Sequence, residues 1–376
     1  MLKKIKLNKN WNFSLSKNYN SSNVSIDKRL SLSKQFPATV PGTIHTDLLN
    51  NKIIDHPFYS DNELRLNWIP ECDWVYQTKF DFKGNLKNNV DLVFDGLDTI
   101  SEIYLNEVKL GGTDNMFVKY RYNVRNILRA KGNELKVLFK SPTRFAADEE
   151  KKYGKLPVAL NSNRVYIRKA QYSFGWDWGP TFPTSGIWRD VYLEEWSVAK
   201  IENATFNTIS INKKTAEVEV NVDVNTSEKK NISLEVSLFN GDAVYKEILL
   251  LNSSSQNKIS FKIKDPKLWW PNGEGEQNLY LLNVKLVKEK IVLDEIQKSV
   301  GIRIVELILK EKDFREFIKS NDWSVYTDAL VAITCSNDSI IPNWAFMLVA
   351  AAIQPYAKQM IFGDAASLET ILFKEK

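Results

Sequence analysis

Apolar and polar residues alternate with a period of two over long stretches of this chain. The alternation is clearest between residues 217 and 224, where acidic and amide residues separate Val218, Val220, Val222 and Val224. A strand of this kind has one apolar and one polar face, as a sheet half-buried in a sandwich requires. Ile232–Leu238 and Ile259–Ile263 alternate in the same way. About seven such runs between residues 201 and 307 predict an immunoglobulin-like β-sandwich.

Shorter strands fill the chain before residue 195. Runs rich in β-branched and aliphatic residues predict strands at Asp91–Phe94, Ile103–Leu110 and Glu134–Phe139. Gly111-Gly112 and Lys131-Gly132-Asn133 provide turn chemistry between them. The pattern predicts that the first domain is also a β-sandwich.

The pattern changes after Leu307. Helices are predicted at Lys310–Lys319, Pro342–Gln354 and Ala366–Phe373, and strands at Ala329–Cys335 and Gln359–Phe362. A buried strand, a helix and a second strand in this order predict a βαβ unit with a parallel strand pair. The last part of the chain is therefore expected to be a short α/β tail.

Composition narrows the possible functions. The net charge of +5 comes from 51 basic and 46 acidic residues spread along the whole chain, which does not indicate a nucleic-acid surface. Two histidines and two distant cysteines give no metal-ligand spacing, and no motif indicates a cofactor. The basic start Met1–Asn8 has no apolar stretch behind it, and no run is long enough for a membrane helix. A soluble protein without a membrane partner is expected, either cytoplasmic or of a location that the sequence does not specify.

The residues from Gln171 to Asp190 combine more aromatic, glycine and proline residues than any other stretch of the chain. Trp176 and Trp178 flank Asp177 between Gly175 and Gly179, a spacing that stops a helix or a regular strand and predicts a shaped loop. A carboxylate beside an apolar ring suits a sugar, which has a C–H face and many hydroxyl groups. The alternative is that both tryptophans fill the sandwich core and Asp177 binds loop amides.

These residues resemble a known family. The segments Phe174–Pro180 and Ser185–Asp190 are similar to the signature in the N-terminal sandwich of family-2 glycoside hydrolases, most closely in their β-mannosidase branch. The resemblance covers roughly Leu7 to Leu307, and many further motifs follow in the family's order: Pro41–Leu48, Pro57–Tyr59, Asp61–Glu63, Trp68, Asp73–Tyr76, Phe94–Asp98, Ser141-Pro142, Leu268–Gly273 and Val300–Arg303.

The resemblance implies a mostly β chain with three parts. Residues 1–197 would form a galactose-binding-like, jelly-roll β-sandwich, and residues 198–307 the immunoglobulin-like β-sandwich. In the family a catalytic (β/α)₈ barrel of about 250 residues then follows. Residues 308–376 do not match that barrel and instead resemble the C-terminal part of a small uncharacterised bacterial protein family.

The resemblance also implies a role for two residues. In the family, the Trp-Asp pair of the matched loop contacts the non-reducing mannose in the barrel's pocket. That role would fall to Trp176 and Asp177. The two catalytic glutamates of the family lie on the barrel, so the sequence predicts no catalytic residue in this chain.

Three interpretations remain open at this stage. The first is a truncated β-mannosidase-like hydrolase of terminal β-mannose residues, joined near Leu307 to a foreign tail and inactive alone. The second is a non-catalytic module that binds carbohydrate or a partner, and the third assigns the function to the tail. The first is favoured because Val300–Arg303 is an inter-domain connection in the family. It predicts weak or no binding of β-mannosides or manno-oligosaccharides, and self-association through an exposed barrel-facing surface.

Overall fold

In a computed structural model of the chain, two compact units comprise Met1–Arg303 and Ile304–Lys376. The structure describes residues 2–16, 30, 34–158, 162–228, 231–241, 243–251, 257–304, 310–334 and 343–363. The predicted helix Ala366–Phe373, the predicted helix start at Pro342 and the predicted strand end at Cys335 lie outside these residues, as does Leu307.

The first sandwich packs a six-stranded sheet against a four-stranded sheet. The strands are β1 Lys3–Lys6, β2 Trp11–Leu15, β3 Phe36–Ala38, β4 Trp74–Phe80, β5 Asn89–Phe94, β6 Ser101–Leu105, β7 Val108–Thr113, β8 Tyr120–Asn123, β9 Asn133–Phe139, β10 Phe174–Trp176, β11 Gly179–Thr181 and β12 Val191–Trp196. The sheet orders are β3-β2-β4-β9-β6-β7 and β1-β12-β5-β8, while β10 and β11 pair separately. All these pairs are antiparallel.

Alternating side chains of both sheets form one core. Phe13, Trp74 and Phe139 from the larger sheet meet Leu92 and Leu193 from the smaller one, and all five are buried. Within the described residues, three α-helices lie in the connections of this sandwich: α1 Ile44–Asn50, α2 Asn62–Arg65 and α3 Pro142–Tyr153. The apolar face of β9 points into the core, as the sequence predicts.

The second sandwich has a core of its own. Its strands are β13 Ala199–Ile211, β14 Thr215–Thr226, β15 Ile232–Asn240, β16 Ala243–Leu250, β17 Asn257–Lys264, β18 Tyr280–Lys288 and β19 Ile291–Val300. They form the sheets β13-β14-β17 and β16-β15-β18-β19. The four valines of β14 are buried, whereas the polar residues between them are exposed or half-buried. The alternation therefore marks the core face of this strand correctly.

Buried charges join the two sandwiches. Lys200 of β13 is fully buried, and its ammonium group lies 2.5 Å from a carboxylate oxygen of Asp91 on β5. The indole N–H of Trp196 donates to the same Asp91 oxygen at 3.0 Å. A backbone bond from Leu2 N to Leu293 O, 2.9 Å long, adds a second connection.

One strand and one turn predicted from the sequence are wrong. The predicted strand Ile103–Leu110 is a hairpin of β6 and β7, because Asn106 and Glu107 adopt positive φ angles and reverse the chain. The glycines at 111 and 112 are not a turn but lie within β7. Gly111 is needed for a close approach, because a Cβ atom there would lie 2.7 Å from the Tyr122 ring.

The second unit contains the predicted βαβ pattern. Its elements are α4 Lys310–Ser320, β20 Leu330–Ile333, α5 Asn343–Ile353 and β21 Gln359–Phe362. The strands β20 and β21 pair in parallel, with Val331 opposite Met360. The core of this unit is small, with Val331, Ile333 and Ile353 as its buried members among the described residues. Leu330 is half exposed, so the strand is less buried than the sequence predicts.

Candidate functional site

The stretch predicted as a shaped loop contains a short β-hairpin. In the antiparallel pair of β10 and β11, Phe174 lies opposite Thr181 and Trp176 opposite Gly179. Asp177 and Trp178 are therefore the two turn residues. Gly175 has a φ angle of +88°, and a Cβ atom there would lie 2.4 Å from the Thr181 hydroxyl oxygen. This glycine allows the two strands to pair, which the sequence analysis did not predict.

The hairpin is held by its first residue and presents its tip to solvent. Phe174 is buried against Ile100, Ala146 and Ile167. Beyond it, Trp176 is 47% exposed, Trp178 is 76% exposed, and Asp177 is exposed. The alternative in which both tryptophans fill the sandwich core is therefore wrong.

A buried ion pair lies at the base of the hairpin. The Lys169 ammonium group is 2.6 and 2.5 Å from the two carboxylate oxygens of Asp98, and both side chains are almost fully buried. The Thr184 hydroxyl donates to Asp98 at 2.6 Å. Because Lys169 precedes the hairpin and Thr184 follows it, Asp98 ties both ends of the hairpin to the sandwich. Burial lowers the pKa of Lys169, an effect that the neighbouring Asp98 carboxylate opposes.

A neutral histidine packs behind this ion pair. The ring centroid of His45 on α1 lies 5.5 Å from that of Phe182, just after the hairpin. Burial first, and the charge of Lys169 second, lower the pKa of His45 to about 3. Neither ring nitrogen has a hydrogen-bond partner among the described residues. His45 thus acts here as an apolar ring and has no contact that would make it a general base.

The first cleft lies on the Trp176 side of the hairpin and has a volume of about 520 Å³. Trp176 and Asp177 line it together with Glu63 and Asn67, which come from α2 and the segment after it. The cleft therefore combines an aromatic ring with carboxylate and amide groups. The structure brings together the two residues that the sequence analysis selected.

Arg164 adds a cation beside this cleft. Its guanidinium carbon lies 5.5 Å from the centroid of the Trp176 ring. The Nε and Nη1 atoms are buried, and neither has a hydrogen-bond partner within the described part of the chain. The guanidinium therefore supports the Trp176 ring from behind, and its buried N–H groups do not open into the cleft. The sequence analysis missed Arg164, which lies in the 3₁₀ turn Ser162–Tyr166, outside the quoted motifs.

A second cleft lies on the Trp178 side and has a volume of about 580 Å³. Its walls are mainly aromatic and include Phe58, Phe117, Tyr172, Trp178 and Phe182. Gly179 and Pro180 line both clefts, so one arm of the hairpin forms the wall between them. The sequence analysis did not select these rings, although Phe58 lies in one of the motifs that it quoted.

Across the ranges that the structure describes, no three side chains of His, Cys, Asp or Glu are close enough to share a metal ion. The same ranges include no helix of the length and apolarity needed to cross a membrane.

Comparisons with known proteins agree with this architecture. Residues 11–189 match the glycosyl hydrolase 2 galactose-binding domain-like family, and residues 199–303 match glycosyl hydrolases family 2. Residues 280–376 match a protein family of unknown function, DUF2480, so residues 280–303 belong to both matches. The tail is thus similar to an uncharacterised family, as the sequence analysis proposed.

Individual relatives point to the same family. Beta-mannosidase from Mus musculus is 33% identical over 294 residues, covering 73% of this chain and 33% of its own length. Beta-mannosidase B from Aspergillus oryzae is 35% identical over 277 residues, covering 72% of this chain and 33% of its own. The chain spans about a third of the length of these curated relatives.

Solved structures share the fold. The crystal structure of beta-D-mannosidase from Dictyoglomus thermophilum has a TM-score of 0.73 and 31% identity, covering 95% of this chain and 47% of that one. A beta-glucuronidase from Bifidobacterium dentium, at 16% identity, has a TM-score of 0.55 and covers 96% of this chain and 60% of that one, which shows a shared fold alone. Through its two sandwiches, residues 11–303, the chain belongs to glycosyl hydrolase family 2.

Proposed function

We propose that this chain binds the terminal mannose of a β-mannoside at the tip of its hairpin. The observation that carries the proposal is the solvent-exposed pair Trp176 and Asp177, which line one cleft together with Glu63 and Asn67. The Trp176 ring would stack on the C–H face of the sugar, while Asp177 accepts hydrogen bonds from hydroxyl groups and the Asn67 amide donates to hydroxyl oxygens. Relatives named beta-mannosidase support the choice of mannose.

We further propose that these 376 residues do not hydrolyse the glycoside by themselves. A retaining glycosidase needs two carboxyl groups held about 5–5.5 Å apart on a rigid frame. The family resemblance places this pair on a (β/α)₈ barrel, and the described residues form two sandwiches and an α/β unit instead. In this proposal the chain supplies the accessory part of a sugar site. It combines the inactive β-mannosidase-like chain of the first interpretation with the binding role of the second.

Calorimetric titration with methyl β-mannoside tests the binding role. We expect saturable binding that Trp176→Ala and Asp177→Asn each weaken about tenfold or more, since both contacts are with the ligand. Trp270→Ala is a matched control, because Trp270 is 48% exposed but lies in the second sandwich. If Trp176→Ala and Trp270→Ala reduced the affinity for methyl β-mannoside equally, the assignment of the site would be refuted.

An assay with an aryl β-mannoside tests the second part. Purified protein should release no aryl product. The family resemblance places the nucleophile and the acid on a barrel, which the described residues do not form. Turnover that survives further purification, and is absent from an identically purified mock preparation, would contradict this part while leaving the binding role intact.

Two further expectations from the sequence belong to this proposal. The division into residues 1–197, 198–307 and 308–376 is retained as the proposed domain organisation. Self-association through an exposed barrel-facing surface also remains a prediction.

A further inference from the structure

We infer that the second cleft holds the next sugar unit of the same glycan, so that the hairpin tip straddles one glycosidic linkage. This inference rests on the proposed function, since the first cleft must hold the terminal mannose. Trp178 and Tyr172 would form the second subsite. The chain would therefore bind disaccharides more tightly than monosaccharides.

The aromatic rings around the second cleft are exposed to solvent. Phe58, Phe117, Tyr172 and Trp178 are each more than half exposed, yet all four line one cleft. Isolated exposed rings need no explanation, but a contiguous group of them around a cleft is typical of a binding site. An aromatic face suits a pyranose ring, whose C–H face it can cover.

The second cleft adjoins the first cleft. Gly179 and Pro180 form a wall common to both, and Trp176 lines one side while Trp178 lines the other. Only Asp177 lies between these tryptophans along the chain. A ligand with its end beside Trp176 therefore reaches Trp178 within one further unit.

Hydrogen bonds hold the walls of the second cleft in place before any ligand binds. The Trp188 indole N–H donates to the Met116 carbonyl oxygen at 3.0 Å, and the Ala170 amide donates to the Met116 sulfur at 3.0 Å. These bonds fix the segment that carries Phe117 against the segments around the hairpin. Walls that are already positioned lower the entropy cost of binding.

The polar atoms of the cleft favour a sugar over a purely apolar ligand. Thr43 and Ser173 line it beside the rings, and Tyr172 contributes a phenol group. The Thr43 hydroxyl already shares a hydrogen bond with that of Thr46, but an acyl chain would cover the Ser173 and Tyr172 hydroxyls without bonding to them, which disfavours its binding. A sugar hydroxyl can both donate to and accept from each of them.

Calorimetry with two ligands tests the inference. The full chain is titrated with methyl β-mannoside and with β-linked mannobiose, each as wild type, Trp178→Ala and Trp178→Phe. We expect the wild type to bind mannobiose about tenfold more tightly than methyl β-mannoside. A second aromatic contact of moderate area accounts for an affinity ratio of this size. Trp178→Ala should reduce the ratio to about one, and Trp178→Phe should retain part of it. Unchanged circular dichroism would verify that the variants fold.

Each possible result supports or overturns the inference. A mannobiose preference that Trp178→Ala abolishes supports it. Equal affinities for the two ligands in the wild type, or a preference that survives Trp178→Ala, overturn it and leave the proposed function intact. Failure of the wild type to bind either ligand overturns both.

Discussion

At the scale of single residues, the ion pair of Lys169 and Asp98 is expected to be the most sensitive point of the hairpin's support. Lys169→Met would leave the Asp98 carboxylate buried without its cation. The free energy of unfolding should fall by about 3–5 kcal/mol, the usual cost of an unpaired buried charge. Urea denaturation measures this change.

Arg168→Met provides the matched control for that prediction. Arg168 is the neighbouring residue, and it forms an ion pair with Asp114 in which both side chains are largely exposed. Its loss should change the free energy of unfolding by less than about 1 kcal/mol. If the free energy of unfolding fell by similar amounts in the two variants, burial would not determine the strength of the ion pair between Lys169 and Asp98.

His45 gives a prediction about pH. The unfolded chain takes up a proton on this ring near pH 6.5, whereas the folded chain does so only near pH 3. The histidine therefore lowers the free energy of unfolding as the pH falls from about 6.5 towards 3. Asp47 opposes this trend, because burial raises its pKa to about 6. The stabilisation that a raised carboxyl pKa provides is present below pH 3.8 and is lost as the pH rises through 6.

His45→Phe isolates the histidine's part of this balance. The ring nitrogens have no hydrogen-bond partner in the described ranges, so phenylalanine removes no bond known from them. The free energy of unfolding of the variant, relative to wild type, should increase by about 1.4 kcal/mol for each pH unit below 6.5. Unfolding curves between pH 7 and pH 4.5 test this, and a difference that is independent of pH would contradict it.

At the scale of elements, Gly175 is expected to control whether the hairpin forms. An alanine there would hold a strained positive φ angle and place its Cβ against the Thr181 hydroxyl. Gly175→Ala should therefore open β10 and β11 locally and accelerate hydrogen exchange of their amides about tenfold or more. In the control Gly179→Ala, the new Cβ would meet no atom within 4 Å, and exchange should hardly change. Equal exchange in both variants would argue against strain at Gly175.

Some of these elements could be predicted from the sequence and others could not. Long strands such as β14 and β15 could be predicted, because burial of one face imposes alternation on the sequence. The hairpin at Asn106 and Glu107 could not, since neither residue is glycine and apolar residues continue on both sides. Gly111 was misread because sequence alone does not distinguish a turn from a close approach by a distant ring.

The candidate site was predictable in the same limited way. Trp176 and Asp177 are adjacent in a distinctive motif, so the sequence alone could select them. Arg164 reaches Trp176 only through tertiary packing, and the rings of the second cleft come from segments far apart in the chain. No local pattern relates such residues to one another.

At the scale of the whole molecule, the second unit is expected to be the first to yield to protease. Its described core has three buried apolar residues and a two-stranded parallel sheet, and a sheet of this size is marginal in water. Limited proteolysis with mass spectrometry should give a resistant fragment that ends near residue 304, where the first unit ends. Early cleavage inside β-strands of the sandwiches, with the second unit intact, would reverse this order and favour a function in the tail.

The central claim is that the hairpin tip binds a β-mannoside, and indole NMR tests it most directly. The chain has 11 tryptophans, so selective ¹⁵N labelling gives a small set of indole signals, which single Trp→Phe variants assign. On titration with methyl β-mannoside we predict a saturable shift of the Trp176 signal, while those of buried Trp74 and distant Trp270 stay in place. A Trp176 signal that does not move at saturating millimolar ligand, or moves no more than that of Trp270, would contradict the account.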